Sequence, residues 1–520
     1  MMKKLWNDPI FRYSLLGAAL FTLAAHAYAY FNNFFSHDAL NAIYASAVEE
    51  GWKLQLGRFL FPLYRTILRG SLALPWVIGL FTILWGTLAV YLLAKIFDLK
   101  SFISILLTAG VLLVNRTVIC LTSTYIYELD IDMLSVLLAV LSVWLWKKTR
   151  WGFLTGALPI VGVLGIYQCN LSVVIVLVIF VSVLTLLMEP DSFMPVLKKG
   201  LLSLLMIALG LVLYYLILQA ILALAGTQLV ENNYNSITNA FAAKSSGLFS
   251  LLRQTYRNYF DTLFAQETSY PLVLVSLCRY VILAATAFML VLQCLRTKPA
   301  LKNLLLAAVL LVLVPLGANA AHLLNDGRSH DLMKYAIYVT ALFAILLAER
   351  MPKPEVECSK KGLVLPVLRP AVMVLVFILL FNNTLTANSI YLKKHFEQQA
   401  TLSVMTRIMY DLERTEGYVP GETPICFIGV PNLTEAMPGF ERYYSFTGSW
   451  ARTSLDADTV LPYYHTYAAY FNYFLNEPAR FCTPEEYQAL KSNERVLSSP
   501  IYPDSGAFFW VDGVLVIHLS

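Results

Sequence analysis

The sequence predicts a mainly α, polytopic α-helical membrane protein with a small extracytoplasmic α/β domain at its C-terminal end. Three observations predict it. The 520 residues are 58% hydrophobic and only 14% charged, where a soluble globular chain carries roughly 25% charged residues. Mean hydropathy is +0.64. Apolar runs of the ~20 residues that cross a bilayer recur from the N-terminus to about residue 385 and then stop.

Taken in order, about eleven spans are expected, near 13–31, 72–96, 101–116, 131–147, 152–169, 171–188, 200–225, 271–294, 303–322, 333–349 and 364–385. The third, fourth and fifth are short, so one of them is expected to be re-entrant or steeply tilted. The opening "MMKKLWNDPIFRYSLLGAAL" has a basic start and an apolar run without a small-residue cleavage pattern, and reads as an uncleaved first helix. With the N-terminus in the cytoplasm every inside loop is basic, from Lys3 and Lys4 through Lys147, Lys148 and Arg150 to Lys360 and Lys361. That is the positive-inside pattern. An odd number of spans then leaves the C-terminus outside a cytoplasmic membrane.

Three outside segments are large or polar. In 32–71, "ALNAIYASAVEEGWKLQ" places Leu40, Ile43, Tyr44 and Val48 on one face. It predicts a helix lying along the interface, with Glu49, Glu50 and Lys53 toward water. In 226–270, Phe241, Leu248, Leu251, Leu252 and Tyr256 recur at helical spacing and predict a second interfacial helix, whose Arg253 and Arg257 suit lipid headgroups. The tail begins with a helix, "HFEQQATLSVMTRIMYDLERTEG", ending at Gly417, followed by the β-rich runs "TPICFIGV" and "GAFFWVDGVLVIHLS". Two domains follow: a membrane part, 1–389, and a soluble part, 390–520.

Composition and motifs narrow the function classes. A net charge of +5 is too mild to suggest a nucleic-acid partner. Of the seven cysteines, only Cys426 and Cys482 lie in the polar tail, where one disulfide can form. No zinc-type Cys/His spacing, Walker loop, GxSxG or HExxH occurs.

"SHDALN" and "GRFLFPLY", followed by "TSTYIYELDIDMLSVLLAVLSVWLW", resemble the GtrII-type bacterial glucosyltransferases, within the GT-C class of multi-span enzymes. The residues carrying the resemblance are Asp38, Gly57, Arg58, Tyr125, Tyr127, Glu128, Asp130 and Asp132, and it extends over roughly 10–390. It implies a polyprenyl-phosphate-sugar donor, a hexose (glucose by analogy), a cell-surface glycan acceptor and a membrane-lipid setting. The sequence departs from the class in one respect: His37, not a second acid, precedes Asp38. A divalent metal is therefore not expected, and no metal ligands are assigned.

Transfer of this kind needs a base for the acceptor hydroxyl and cations for the leaving phosphate. Asp38 is the candidate base, with His37 orienting it; the alternative is that Asp38 merely caps a helix starting at Ala39. Glu128, Asp130 and Asp132 form an acidic cluster at the mouth of a span, suited to acceptor hydroxyls or a second catalytic carboxylate. If helical, Glu128 and Asp132 share a face and Asp130 points elsewhere. Three acids there are costly unless they face a cavity; a solvated turn is the plain alternative. Arg58, Arg116, Arg328 and Lys334 are the candidate phosphate ligands, against an ordinary interfacial loop. A transporter or flippase and a non-catalytic assembly protein are the rival classes. Polar groups collected at the outer mouth rather than at the midplane favour surface chemistry over transport.

Overall fold

The computed structural model describes residues 5–33, 35, 39–40, 42–44, 47–230, 247–264, 273–351, 364–429 and 468–519. Among these the chain is mostly helical. It divides into two compact units, one of 1–30, 45–121 and 128–387, the other of 31–44, 122–127 and 388–520.

Among the described residues, nine helices are long and apolar enough to cross a membrane, and a bent pair makes a tenth. The protein is thus a multi-pass membrane protein, with slightly fewer full spans among the described residues than the apolar runs suggested. The run at 152–169 supplies only the short helices Gly152–Thr155 and Ala157–Ile166. The run at 101–116 is the first half of the bent pair, Phe102–Leu113 and Arg116–Thr124, which meet at 47°.

Asn115 makes that bend. Its Nδ2 donates to Val111 O (3.1 Å) and Leu112 O (3.0 Å), and its Oδ1 accepts from Val118 N at 3.1 Å. One side chain thereby closes the first half and opens the second. A break in a helix frees backbone carbonyls that need new donors, and other helices supply them. Tyr335 Oη donates to Leu112 O (2.8 Å), His26 Nε2 to Leu113 O (2.9 Å) and Asn383 Nδ2 to Val114 O (3.0 Å).

The predicted interfacial helix of the first loop is not continuous. Among the described residues only Ala47–Gln55 is a helix of any length there, and its Glu49 and Lys53 are not turned to water. Lys53 is 5% exposed, and Glu49 pairs with Arg65. Amphipathic reading assigned those charges to solvent; pairing inside the unit overrides it. The helix expected in the 226–270 segment is present as Leu248–Phe264, with Leu251, Thr255 and Tyr259 buried and Leu248 and Phe249 exposed. Phe241 lies outside the described residues.

The long helix Val364–Glu413 carries the chain from the first unit into the second. There four strands, β1 Pro424–Ile428, β2 Arg480–Phe481, β3 Phe508–Val511 and β4 Val514–His518, form one sheet in the order β2-β1-β4-β3. β1 runs parallel to both β2 and β4, and β3 pairs antiparallel with β4. Asp512 and Gly513, at φ 48° and 82°, supply the two left-handed residues that a tight hairpin between β3 and β4 requires. Strand alternation sorts the core. Ile425, Phe427, Leu515 and Ile517 pack with Met405, Ile408 and Leu412 of the long helix, while Cys426, Ile428, Val514 and Val516 face Tyr487, Leu490 and Val496.

One backbone approach in the membrane unit is tight enough to test. A Cβ on Gly152 would meet the Trp146 carbonyl oxygen and lie 2.7 Å from Trp146 Cα, backbone atoms that cannot swing aside. Gly152→Ala should lower stability by ~1–3 kcal/mol, read as a lower melting temperature in detergent.

Candidate functional site

The helix Leu129–Lys148 begins with Asp130 and Asp132 in its first turn, Glu128 being its N-cap. Carboxylates there are favoured by the positive end of the helix dipole, but all three are buried: Glu128 is 4%, Asp130 0% and Asp132 6% exposed. Buried charge at a span's mouth needs partners, and residues 49–69 bring them.

Glu128 takes two cations. Lys53 Nζ pairs with its Oε1, and Arg58 lies 3.5 Å from its Oε2. Arg58 also stacks on the Tyr167 ring, 4.7 Å from the centroid. Its backbone is set by Gly57, at φ +79°, a conformation that favours glycine. Gly57 O accepts from Tyr214 Oη at 3.1 Å, and Gln168 Nε2 bonds Leu56 O at 2.9 Å. A Cβ on Gly57 would run into that Tyr214 hydroxyl. Burial works against the charge on Arg58, but the Glu128 carboxylate outweighs it and holds the guanidinium pKa above its ordinary value.

Asp130 points another way. Its Oδ1 is 2.7 Å from Arg69, with both side chains fully buried, and its Oδ2 accepts from Tyr64 Oη at 2.9 Å. Arg65, one turn before Arg69, pairs with Glu49 at 3.2 Å and donates to Ser71 O at 2.7 Å. Burial pushes the Glu49 carboxyl up, against the pull of Lys53 and Arg65. Lys53, Arg58, Arg65 and Arg69 thus pair with three carboxylates, two of the cations on Glu128 and one each on Glu49 and Asp130, with Asp132 beside them.

Asp132 differs from the rest. It feels the charges of Glu128, Arg58 and Lys53, yet makes no hydrogen bond or ion pair among the described residues. A buried carboxylate in that state can accept a proton or a hydroxyl hydrogen bond from a ligand.

A second cluster surrounds Asp331. Arg116 Nε is 2.9 Å from its Oδ2 and Lys334 Nζ 3.3 Å from its Oδ1, and Thr117 Oγ1 donates to its backbone carbonyl at 2.8 Å. Arg279 and Tyr338 are electrostatic neighbours of Arg116, and the buried Tyr338 Oη has no hydrogen-bond partner. The 3₁₀ turn Gln168–Asn170 touches both the helix Leu129–Lys148 and the turn Asp331–Lys334, so the two clusters border the same turn. His322 bonds Thr255 Oγ1 at 3.0 Å; burial first, then Lys334, holds its pKa down.

The structure therefore brings Arg58 together with Glu128 and Asp132, sets Asp130 on a separate pair, and gathers Arg116 and Lys334 on Asp331. The last two share a carboxylate, a partner that the sequence reading did not assign them. Arg328 is exposed and makes no ion pair among the described residues. His37 and Asp38 lie outside the described residues. Lys53, Arg69, Arg279 and Asp331 were not picked out as site residues from sequence. Arg279 carried a usable signal, an arginine inside an apolar run. Among the described residues no group of three or more His, Cys, Asp or Glu side chains is placed to hold a metal ion.

The family model described as glucosyl transferase GtrII matches residues 27–349. The chain belongs to the GtrII glucosyl transferase family. The matched stretch takes in the whole acid–cation network and the Asp331 cluster. No curated protein and no solved structure matches the chain.

Two substitutions at the head of the same helix should act oppositely. Glu128→Gln leaves Lys53 and Arg58 without their buried counter-charge and should cost ~3–5 kcal/mol. Asp132→Asn removes a charge that has no direct partner and should leave the melting temperature unchanged or raise it. Thermal unfolding of the two variants in detergent checks both.

Proposed function

We propose that this glucosyltransferase-family protein moves a hexose, glucose by family, from a polyprenyl-phosphate-linked donor to a cell-surface glycan acceptor. The reaction takes place on the outer face of the cytoplasmic membrane, with the N-terminus inside and the C-terminus outside. The observation that carries this reading is the pairing of an unpartnered buried carboxylate, Asp132, with a cation-rich cluster across one turn. A glycosyl transfer from a phosphate needs both: an acceptor for hydroxyl hydrogens and positive charge for the leaving group.

The acceptor oxygen attacks C1 of the sugar on the face opposite the phosphate. The new C1–O bond forms as the old one breaks, and the phosphate leaves with the bonding pair. The anomeric configuration inverts in a single displacement, without a covalent enzyme intermediate. Asp38, which comes soon after the first apolar run and carries the resemblance to GT-C enzymes, takes the hydroxyl proton. Asp132 holds an acceptor hydroxyl, with Glu128 fixing the Lys53 and Arg58 charges beside it. Arg116 and Lys334, which share the Asp331 carboxylate, and Arg279, an electrostatic neighbour of Arg116, bind the donor phosphate. Arginine pairs with phosphate oxygens in a bidentate fork and stays charged. The region 390–520 acts as a separate domain that binds the acceptor polymer.

The test is transfer by the purified full chain in detergent, supplied with polyprenyl-phosphate-glucose and crude envelope polymer, with EDTA in a parallel arm to read metal dependence. Asp38→Asn should lower kcat by ~10²–10⁴ while the protein stays folded. Asp132→Asn should mainly raise KM for acceptor. Arg116→Gln and Arg279→Gln should weaken donor binding, read by native mass spectrometry. No transfer and no donor bound by well-folded wild type would overturn the reading.

A further inference from the structure

The sheet of the second unit places two cysteines side by side. β1 and β2 pair in parallel with Ile425 opposite Phe481, and Cys482 N donates to Ile425 O at 2.9 Å. One step along each strand, Cys426 and Cys482 are neighbours. Both side chains pack into the same cluster with Tyr487, Leu490 and Val496, so they leave the sheet on the same side. Neighbouring strands lie ~4.8 Å apart, inside the Cα separation that a disulfide spans. Both thiols are free and buried, at 0% and 6% exposure, and they hydrogen-bond to each other.

We propose that Cys426 and Cys482 are a redox pair that closes to a disulfide across β1 and β2 when the protein meets a thiol–disulfide oxidant. The bond fixes the weakest part of the sheet. β2 is two residues long and lies at the sheet edge, held to β1 alone. The bond also ties together the two ends of the stretch that contains 430–467.

The order of reaction follows from the pair's asymmetry. The hydrogen bond from the Cys426 thiol holds the Cys482 pKa down, and the same bond, with burial, pushes Cys426 up. The thiolate is the nucleophile, so Cys482, the residue just after the edge strand, attacks first. With oxidised glutathione, Cys482 Sγ displaces one glutathione thiolate and forms a mixed disulfide. Cys426, giving up its proton, then attacks Cys482 Sγ and expels the second glutathione. Two cysteine thiols are oxidised to one disulfide and one glutathione disulfide is reduced to two thiols.

The experiment uses the full chain in detergent, incubated folded with oxidised glutathione or with dithiothreitol, then acid-quenched, alkylated, digested and mapped by mass. The expected result is a Cys426–Cys482 cross-linked peptide after oxidation that dithiothreitol removes, and cleavage of the second unit by added protease slowed about tenfold. Cys426→Ser should stop the reaction at a glutathione adduct on Cys482. Alkylation of both thiols after oxidation, separate glutathione adducts on each in wild type, or a cross-link from either to another cysteine would overturn the proposal. Because wild type alone decides the pairing, a variant that fails to fold does not blunt the test.

Discussion

The buried pairing of Glu128 with Lys53 and Arg58 is the interaction on which the membrane unit's polar interior depends. Glu128 stands where the helix Leu129–Lys148 begins, and its partners come from a segment far earlier in the chain. Removing two cations and a carboxylate from water is expensive, and only close mutual contact offsets it. Once that contact is made, the neighbours follow. Gly57 and Tyr214 hold Arg58 in position, Tyr167 covers its face, and Arg69 takes Asp130. Asp132 is left as the carboxylate with no direct partner among the described residues.

An ion network of this kind has a specific chemical use beside a reaction that separates charge. Its groups are held by one another and by backbone carbonyls, so they need not reorganise when charge develops on a substrate. The Asp331 cluster offers the complementary case. Arg116 and Lys334 share one carboxylate, which keeps two like charges close together without a ligand. Tyr338 Oη stands nearby with an unused hydrogen-bonding capacity. Both clusters bordering the turn Gln168–Asn170 is consistent with a glucosyltransferase family, in which donor and acceptor must be held at once.

Much of this could be read from residue order, and the exceptions have physical causes. The helical spans show because apolar composition over ~20 residues has few other meanings. β1, β3 and β4 show because their runs are β-branched and aromatic and Asp512–Gly513 marks the hairpin. The i, i+4 relation of Glu128 and Asp132, and the different direction of Asp130, follow from helical geometry alone. The inward turn of Lys53 and Glu49 was hidden, because local periodicity assigns a charge to water unless its distant partner is known. The carboxylate that Arg116 and Lys334 share was hidden for the same reason: Asp331 lies far along the chain from Arg116, and beside Lys334 it was counted as loop. The split of 101–124 into two bent halves rests on a single asparagine, which no propensity scale singles out.

That asparagine bend also constrains the order of assembly. The carbonyls of Leu112, Leu113 and Val114 receive donors from Tyr335, His26 and Asn383. His26 is synthesised before the bend, but Tyr335 and Asn383 follow more than two hundred residues later, as their spacing from the bend shows (223 and 269 residues). The bent segment therefore cannot complete its hydrogen bonding as it leaves the ribosome. Its last donors exist only once nearly the whole membrane region has been made. Biogenesis of this protein thus has a late closing step, in which the last-inserted helices complete a backbone laid down near the start.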